Sequence, residues 1–197
     1  DQGKQQVVTY GGLQSNHARM TAAAAAQLGL QAHLFFFEHK PQKLEGNLLL
    51  NRLLGAKMHF IPFGGGGAAA LTLENTNKLV RLVSLPFAAR SAYFIPVGGH
   101  NVTGCLGYVA AAGELQEQAL ANNLPLEKIT IVTAAGTGGT LAGLMAGLAL
   151  LNSPIRVLGI DIGKLWKGFP RSIGRLANDL IQTLGGTEQF TPNNVPL

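Results

Sequence analysis

Three glycine-bearing segments hold most of the side chains that could do chemistry. They are Tyr10-Gly11-Gly12-Leu13-Gln14-Ser15-Asn16-His17-Ala18-Arg19, Val97-Gly98-Gly99-His100-Asn101-Val102-Thr103-Gly104 and Thr133-Ala134-Ala135-Gly136-Thr137-Gly138-Gly139-Thr140. The third has the chemistry of a phosphate cradle. Its glycines let the backbone approach an anion, Thr137 and Thr140 add hydroxyl donors, and a helix that follows would aim its free N–H groups at the charge. A tight strand-to-helix turn with packing glycines would leave the same pattern. A Walker loop is excluded because no Lys follows the glycines. The dinucleotide fingerprint G-x-G-x-x-G is met at Gly136 and Gly138 but has Leu141 at its third glycine, although Asp161 stands about where a ribose-binding acid would.

In the first segment Ser15 and His17 invite a hydrolase reading. At a helix start, side chains two apart do not face each other, and the G-x-S-x-G elbow is absent. On local grounds Ser15 is either an N-cap or a substrate contact, and His17 either a buried hydrogen-bonding residue or a functional one. Cys105 is expected to be a small core residue. As the only cysteine, it excludes a disulfide framework and a Cys-based zinc site, and no metal is expected.

The elements that must position these segments alternate. Apolar runs at Val7–Tyr10, 32–37, 57–61, 93–97, 129–133 and 155–160 read as strands. Patterns at 20–28, 46–54, 75–84, 103–121, 141–151 and 172–184 read as helices, two of them stopped by Gly29 and Gly55. Strands alternating with helices imply parallel sheets with helices over both faces, and ligands in such folds bind beyond the carboxyl ends of the strands. Gly64–Gly67 followed by Ala68–Ala70 reads as a loop. The seam between two α/β units is expected within 94–104, giving a smaller domain over 1–95 and part of a larger one over 96–197.

The 197 residues are 47% hydrophobic and 13% charged, with 26 glycines, which excludes a disordered or collagen-like chain. The net charge of +5 lies wholly in residues 1–100, which carry nine Lys/Arg and four Asp/Glu, scattered and without interleaved aromatics. Nucleic acid is therefore not an expected partner. No apolar run approaches the roughly 18 residues of a membrane span, and the start of the chain lacks the shape of a signal peptide. A soluble, cytoplasmic protein is the expectation.

Taken in order, Gln14-Ser15-Asn16-His17-Ala18-Arg19, the stretch Glu45-Gly46-Asn47 through Gly55-Ala56, Ile95-Pro96-Val97-Gly98-Gly99 with Gly107-Tyr108-Val109, and Gly136-Thr137-Gly138-Gly139-Thr140 resemble the D-cysteine desulfhydrase and 1-aminocyclopropane-1-carboxylate (ACC) deaminase family. These are pyridoxal-5′-phosphate (PLP) enzymes of the tryptophan-synthase-β-like fold, fold type II. The resemblance covers nearly the whole chain. It implies two open, twisted parallel sheets flanked by helices, with the cofactor phosphate on Ala135, Gly136, Thr137, Gly138, Gly139 and Thr140. It further implies Asn16 on the ring oxygen O3′, Ser15 as a catalytic residue that contacts the substrate carboxylate or, in deaminase chemistry, handles its protons or acts as nucleophile, and His17 beside the substrate.

Two departures are visible. Deaminases of the family tend to have Gln where this chain has His17, which favours the desulfhydrase branch. His100 and Asn101 also follow the glycines where the family often has Ser. The implied reaction removes the α-proton of a small amino acid and eliminates a β-substituent, releasing ammonia and a 2-oxo acid, with hydrogen sulfide from D-cysteine. A homodimer is implied. The family's Schiff-base Lys is expected upstream of Asp1, Lys4 being too close to the first strand, and its far C-terminal segment is also expected to lie outside the sequence. Two other readings stand beside this one: a non-catalytic phosphate-ligand-binding fragment or degraded homologue, and a nicotinamide (NAD) enzyme using Asp161.

Overall fold

The computed structural model describes residues 3–62, 72–88 and 92–197. The loop expected over Gly64–Ala70 lies outside them. The chain divides into two compact units, Asp1–Gly98 and Gly99–Leu197.

The first unit runs β1 (Gln6–Gly11), α1 (Asn16–Gln27), β2 (Gln31–Phe36), α2 (Gly46–Leu53), β3 (Lys57–Phe60), α3 (Leu73–Val83) and β4 (Tyr93–Phe94). The strands form one parallel sheet in the order β3-β2-β1-β4, with Val7 opposite Ala32 and Thr9 opposite Leu34. Side chains alternate across a strand, so each face collects its own core. Val7, Leu34 and Phe36 pack with Ala18, Ala22 and Ala25 of α1 and Leu48 of α2. The alanines let α1 lie close to the sheet. On the other face Val8, Tyr10 and Phe35 meet Val80 of α3.

The second unit has α4 (Val102–Ala121), β5 (Thr130–Ala135), α5 (Gly139–Leu150), β6 (Arg156–Asp161) and α6 (Phe169–Thr183), with β5 and β6 paired in parallel. Helix α5 is buried on all sides, which its uniformly apolar sequence requires. It approaches α4 through Gly143 and Gly147, where an added Cβ would lie 2.5 Å from Tyr108 Cβ and 2.6 Å from Ala112 Cβ. The opposite face of the β5–β6 sheet exposes Val132, Leu158, Ile160 and Ile162.

Several element ends differ from the sequence expectation, among them one at each glycine segment. Helix α1 starts at Asn16 rather than Met20, because Ser15 caps it. Strand β4 is two residues long, since Pro96 has no N–H to donate and Val97–Gly99 curl into a 3-10 turn. Strand β5 continues to Ala135, which confines the third glycine segment's bend to Gly136–Gly138.

A histidine pair lies under the second face of the first sheet. His33 is 2% exposed, its Nδ1 is 3.1 Å from His59 Nε2, and its ring stacks on His59 at 5.3 Å. Burial, reinforced by the His59 and Lys57 charges, pushes His33 down to about 4 and also lowers His59. The folded protein therefore keeps His33 neutral where the unfolded chain, titrating near the ordinary value of about 6.5, takes up a proton. Its contribution to stability is whole above about pH 6.5 and is lost as pH falls toward 4. The urea midpoint should be level from pH 7 to 8 and drop between pH 6.5 and 4, and His33→Phe should flatten part of that drop; a midpoint rising toward acid would contradict the assignment.

Candidate functional site

The first glycine segment is fixed by its own side chains. Ser15 is the N-cap of α1: its Oγ accepts from the N–H of Ala18 at 3.1 Å, and its N–H donates to the Gly12 carbonyl. A Cβ on Gly11 would lie 2.6 Å from Ser15 Oγ, so the hydroxyl can take this position only beside glycine. The cap uses an acceptor lone pair and leaves the hydroxyl proton to donate elsewhere.

Asn16, the first helical residue, is exposed. Its Oδ1 accepts from Asn47 Nδ2 at 2.9 Å, and the same Nδ2 reaches the Gln14 carbonyl at 2.8 Å. Gln14 Oε1 accepts from the Asn47 N–H at 2.8 Å, while Gln14 Nε2 donates to the Glu45 carbonyl at 3.1 Å. Gly46 stands between them at φ +54°, and a Cβ there would lie 2.5 Å from Gln14 Oε1. The network holds the Asn16 amide by its oxygen and leaves its NH2 group outward as a donor.

His17 turns the other way. Its Nε2 is 2.7 Å from Thr9 Oγ1, and burial pushes the imidazole down to about 4, so it is neutral near pH 7. Ser15 and His17 share no hydrogen bond, in keeping with the absence of a hydrolase dyad. Nearby, the Tyr10 hydroxyl donates to Asn77 Oδ1 at 2.9 Å, and burial raises that phenol well above its usual range.

The second segment is also committed to structure. Asn101 caps α4, accepting from the Gly104 N–H at 2.7 Å, and His100 Nε2 lies 3.2 Å from Ser172 Oγ. Cys105 is buried beneath this turn, as expected of a core residue, and burial raises its thiol.

The third segment is arranged differently. Ala135 ends β5, Gly136–Gly138 bend, and Gly139 and Thr140 open α5. Gly138 is the N-cap at φ +80°, with no side chain to accept from the first turn. Among the described residues the N–H groups of 136–140 meet no acceptor, so five consecutive donors sit at the positive end of a twelve-residue helix. Trp166 Nε1 donates to the Gly136 carbonyl at 2.8 Å, and a planar trans peptide then turns the Thr137 N–H the opposite way. Among the other helices, α1, α3 and α4 have side-chain caps, and Gln14 takes the second N–H of α2. Helix α6 also begins at an uncapped glycine, but it spends a first-turn position on Pro170.

Such a donor set fits a phosphate, and it fits a phosphorylated cofactor held by backbone. Asp161 is engaged at its own turn, its Oδ1 accepting from the N–H groups of Gly163 and Lys164. The described residues contain no cluster of three or more metal-ligating side chains. Sequence reasoning gave no role to Thr9, Gln14, Asn47 or Trp166. Asn47 stood in a motif and Trp166 is the only tryptophan, but their partners are tens of residues away.

Comparison with known proteins gives a consistent set of relatives. The family model described as pyridoxal-phosphate dependent enzyme matches residues 1–188. A putative ACC deaminase of Pyrococcus furiosus is 34% identical over 179 residues, covering 91% of this chain and 52% of the relative. The mitochondrial bifunctional D-cysteine desulfhydrase/ACC deaminase of Arabidopsis thaliana is 40% identical over 155 residues, 75% of this chain and 37% of its own length. The crystal structure of an ACC deaminase homologue superposes with a TM-score of 0.76 at 34% identity, covering 96% of this chain and 55% of the other. A diaminopropionate ammonia lyase of Escherichia coli shares the fold at 19% identity and a TM-score of 0.56, covering 79% of this chain and 40% of that one. The chain spans about half the length of the first two of these relatives or less.

The cradle depends on Gly138. An alanine there would take a left-handed backbone and bring its Cβ to 2.5 Å from Ile173 Cγ1. Gly138→Ala should cost about 2–4 kcal/mol, read as a lowered Tm, with the larger share from overpacking; an unchanged Tm would show that the bend is not held as described.

Proposed function

The chain belongs to the pyridoxal-phosphate dependent enzyme family, and from that premise we propose that it is part of a lyase or deaminase acting on a small amino acid, of the D-cysteine desulfhydrase or ACC deaminase kind. The observation that carries the reading is the uncapped start of α5, where the N–H groups of 136–140 stand unspent. On this reading Gly136, Thr137, Gly138, Gly139 and Thr140 hold the PLP phosphate through those groups and the two threonine hydroxyls, and Ala135 flanks it at the end of β5. Bound PLP supplies an electron sink for the charge that develops at the substrate α-carbon.

The remaining work falls to side chains. Asn16, steadied by Asn47 and Gln14, offers its NH2 group to the ring oxygen. Ser15, whose lone pair is engaged at the Ala18 N–H, keeps a hydroxyl proton for the substrate carboxylate or for the reacting atoms. His17 lies beside the substrate. The reaction yields ammonia and a 2-oxo acid, with hydrogen sulfide as well when D-cysteine is used.

We further take the working enzyme to be a cytoplasmic homodimer, with residues 1–95 as its smaller domain and 96–197 within its larger one. One buried cysteine suits a reducing compartment. No described helix is long and apolar enough to cross a membrane.

Trp166 makes the test direct, because the only indole of the chain touches the cradle. PLP added to the intact protein should quench its fluorescence saturably, and Thr137→Val with Thr140→Val should weaken binding by about tenfold or more, as expected for losing hydroxyl donors to a charged group. Sulfide and pyruvate from D-cysteine, or 2-oxobutyrate from ACC, should be detected. Binding without turnover would reduce the protein to a phosphate-ligand module, and no binding would sink the reading.

A further inference from the structure

Thr9 Oγ1 lies between two groups that cannot both receive its proton. It is 2.8 Å from the Ile95 carbonyl and 2.7 Å from His17 Nε2, and Thr9 is fully buried, so no solvent molecule relieves the choice. A carbonyl only accepts. Were the hydroxyl proton given to His17, two oxygen lone pairs would face each other at 2.8 Å inside the sheet. The proton therefore goes to Ile95, and Oγ1 accepts at His17, so Nε2 must carry a hydrogen. The Ile95 carbonyl has little freedom to move away, since its own N–H is bonded to the Val8 carbonyl at 2.8 Å beside the β1–β4 pairing.

We propose that Thr9 is a positioning residue that locks His17 as the Nε2–H tautomer, leaving the Nδ1 lone pair as the one polar valence the ring can offer a bound amino acid. His17 then accepts a hydrogen bond from a proton-bearing group of the substrate, and does not donate to its carboxylate. This step rests on the reading of His17 as a substrate neighbour, while the tautomer itself follows from geometry alone. The low pKa of the ring keeps Nδ1 unprotonated near pH 7. Among the described residues nothing is hydrogen-bonded to Nδ1.

The test is imidazole 15N NMR on the intact labelled protein near pH 7.5, with the His17 signals assigned by comparison with His17→Gln. A protonated, pyrrole-type Nε2 and a pyridine-type Nδ1 are expected. Thr9→Val, of nearly the same shape, should give a mixed or reversed tautomer and lower kcat by about tenfold or more with little change in KM. Thr9→Ser, which keeps the hydroxyl, should restore both the tautomer and most of the rate. An Nδ1–H tautomer in the wild type would overturn the proposal, as would a Thr9→Val spectrum identical to it. Should Thr9→Val fail to fold, the wild-type and Thr9→Ser spectra still decide. A protein with the expected tautomer and no turnover of D-cysteine or ACC would defeat the functional reading and leave the tautomer assignment standing.

Discussion

Parallel strand pairing is the constraint on which the rest of each unit depends. A parallel neighbour cannot be reached by a tight turn, so each of β1, β2 and β5 hands over to a crossover helix at its carboxyl end. Those helices begin at the same edge of their sheet, and each brings N–H groups with no partner inside the helix. Here α1, α3 and α4 are capped by Ser15, Thr72 and Asn101, while α5 is not. Helix α6 is also uncapped but has Pro170 in its first turn, so α5 is the open start that the proposed reading takes as the anion site. Glycine at 138 produces it, by giving the cap position a left-handed turn and no side chain.

The same edge explains why one short segment can carry three different duties. Ser15, Asn16 and His17 occupy the cap and first turn of α1, where successive side chains project in different directions. Ser15 points back to its own helix, Asn16 toward α2, and His17 toward the sheet. Consecutive polar residues therefore do not compete. Each is anchored through one atom, Ser15 and Asn16 by an oxygen and His17 by Nε2, and on the proposed reading keeps another for a ligand.

Much of this was legible in the sequence, because alternating apolar runs and glycine stops follow local rules. The strand order could not be written from it, but the parallel α/β class could, as could a glycine-rich turn between β5 and α5. The first turn of α1 was placed late, since an alanine-rich run reads as helix more strongly than the polar residues before it. Strand β4 was drawn too long, because Ile95 and Val97 are good strand formers while Pro96 ends the ladder. What local rules cannot reach are the anchors: Thr9 to His17 across 8 residues, Gln14 to Asn47 across 33, Trp166 to Gly136 across 30. Each needs the chain to have folded before its partner is known.

Those anchors share a physical logic that bears on the chemistry. A catalytic group held only by packing can rotate or change tautomer at a cost near thermal energy. A polar contact whose alternative is an unpaired buried atom costs about 1–3 kcal/mol to break. His17 shows the stronger form of this. Its orientation and its protonation are set by the same bond, because the proton on Nε2 is what makes the contact with Thr9 possible. Burial adds the second condition by disfavouring the imidazolium. A ring so held can offer only an acceptor to whatever amino acid lies beside it. If His17 is the substrate neighbour proposed above, the choice between donating to a carboxylate and accepting from a proton-bearing group is made in the β1 strand, one residue before Tyr10.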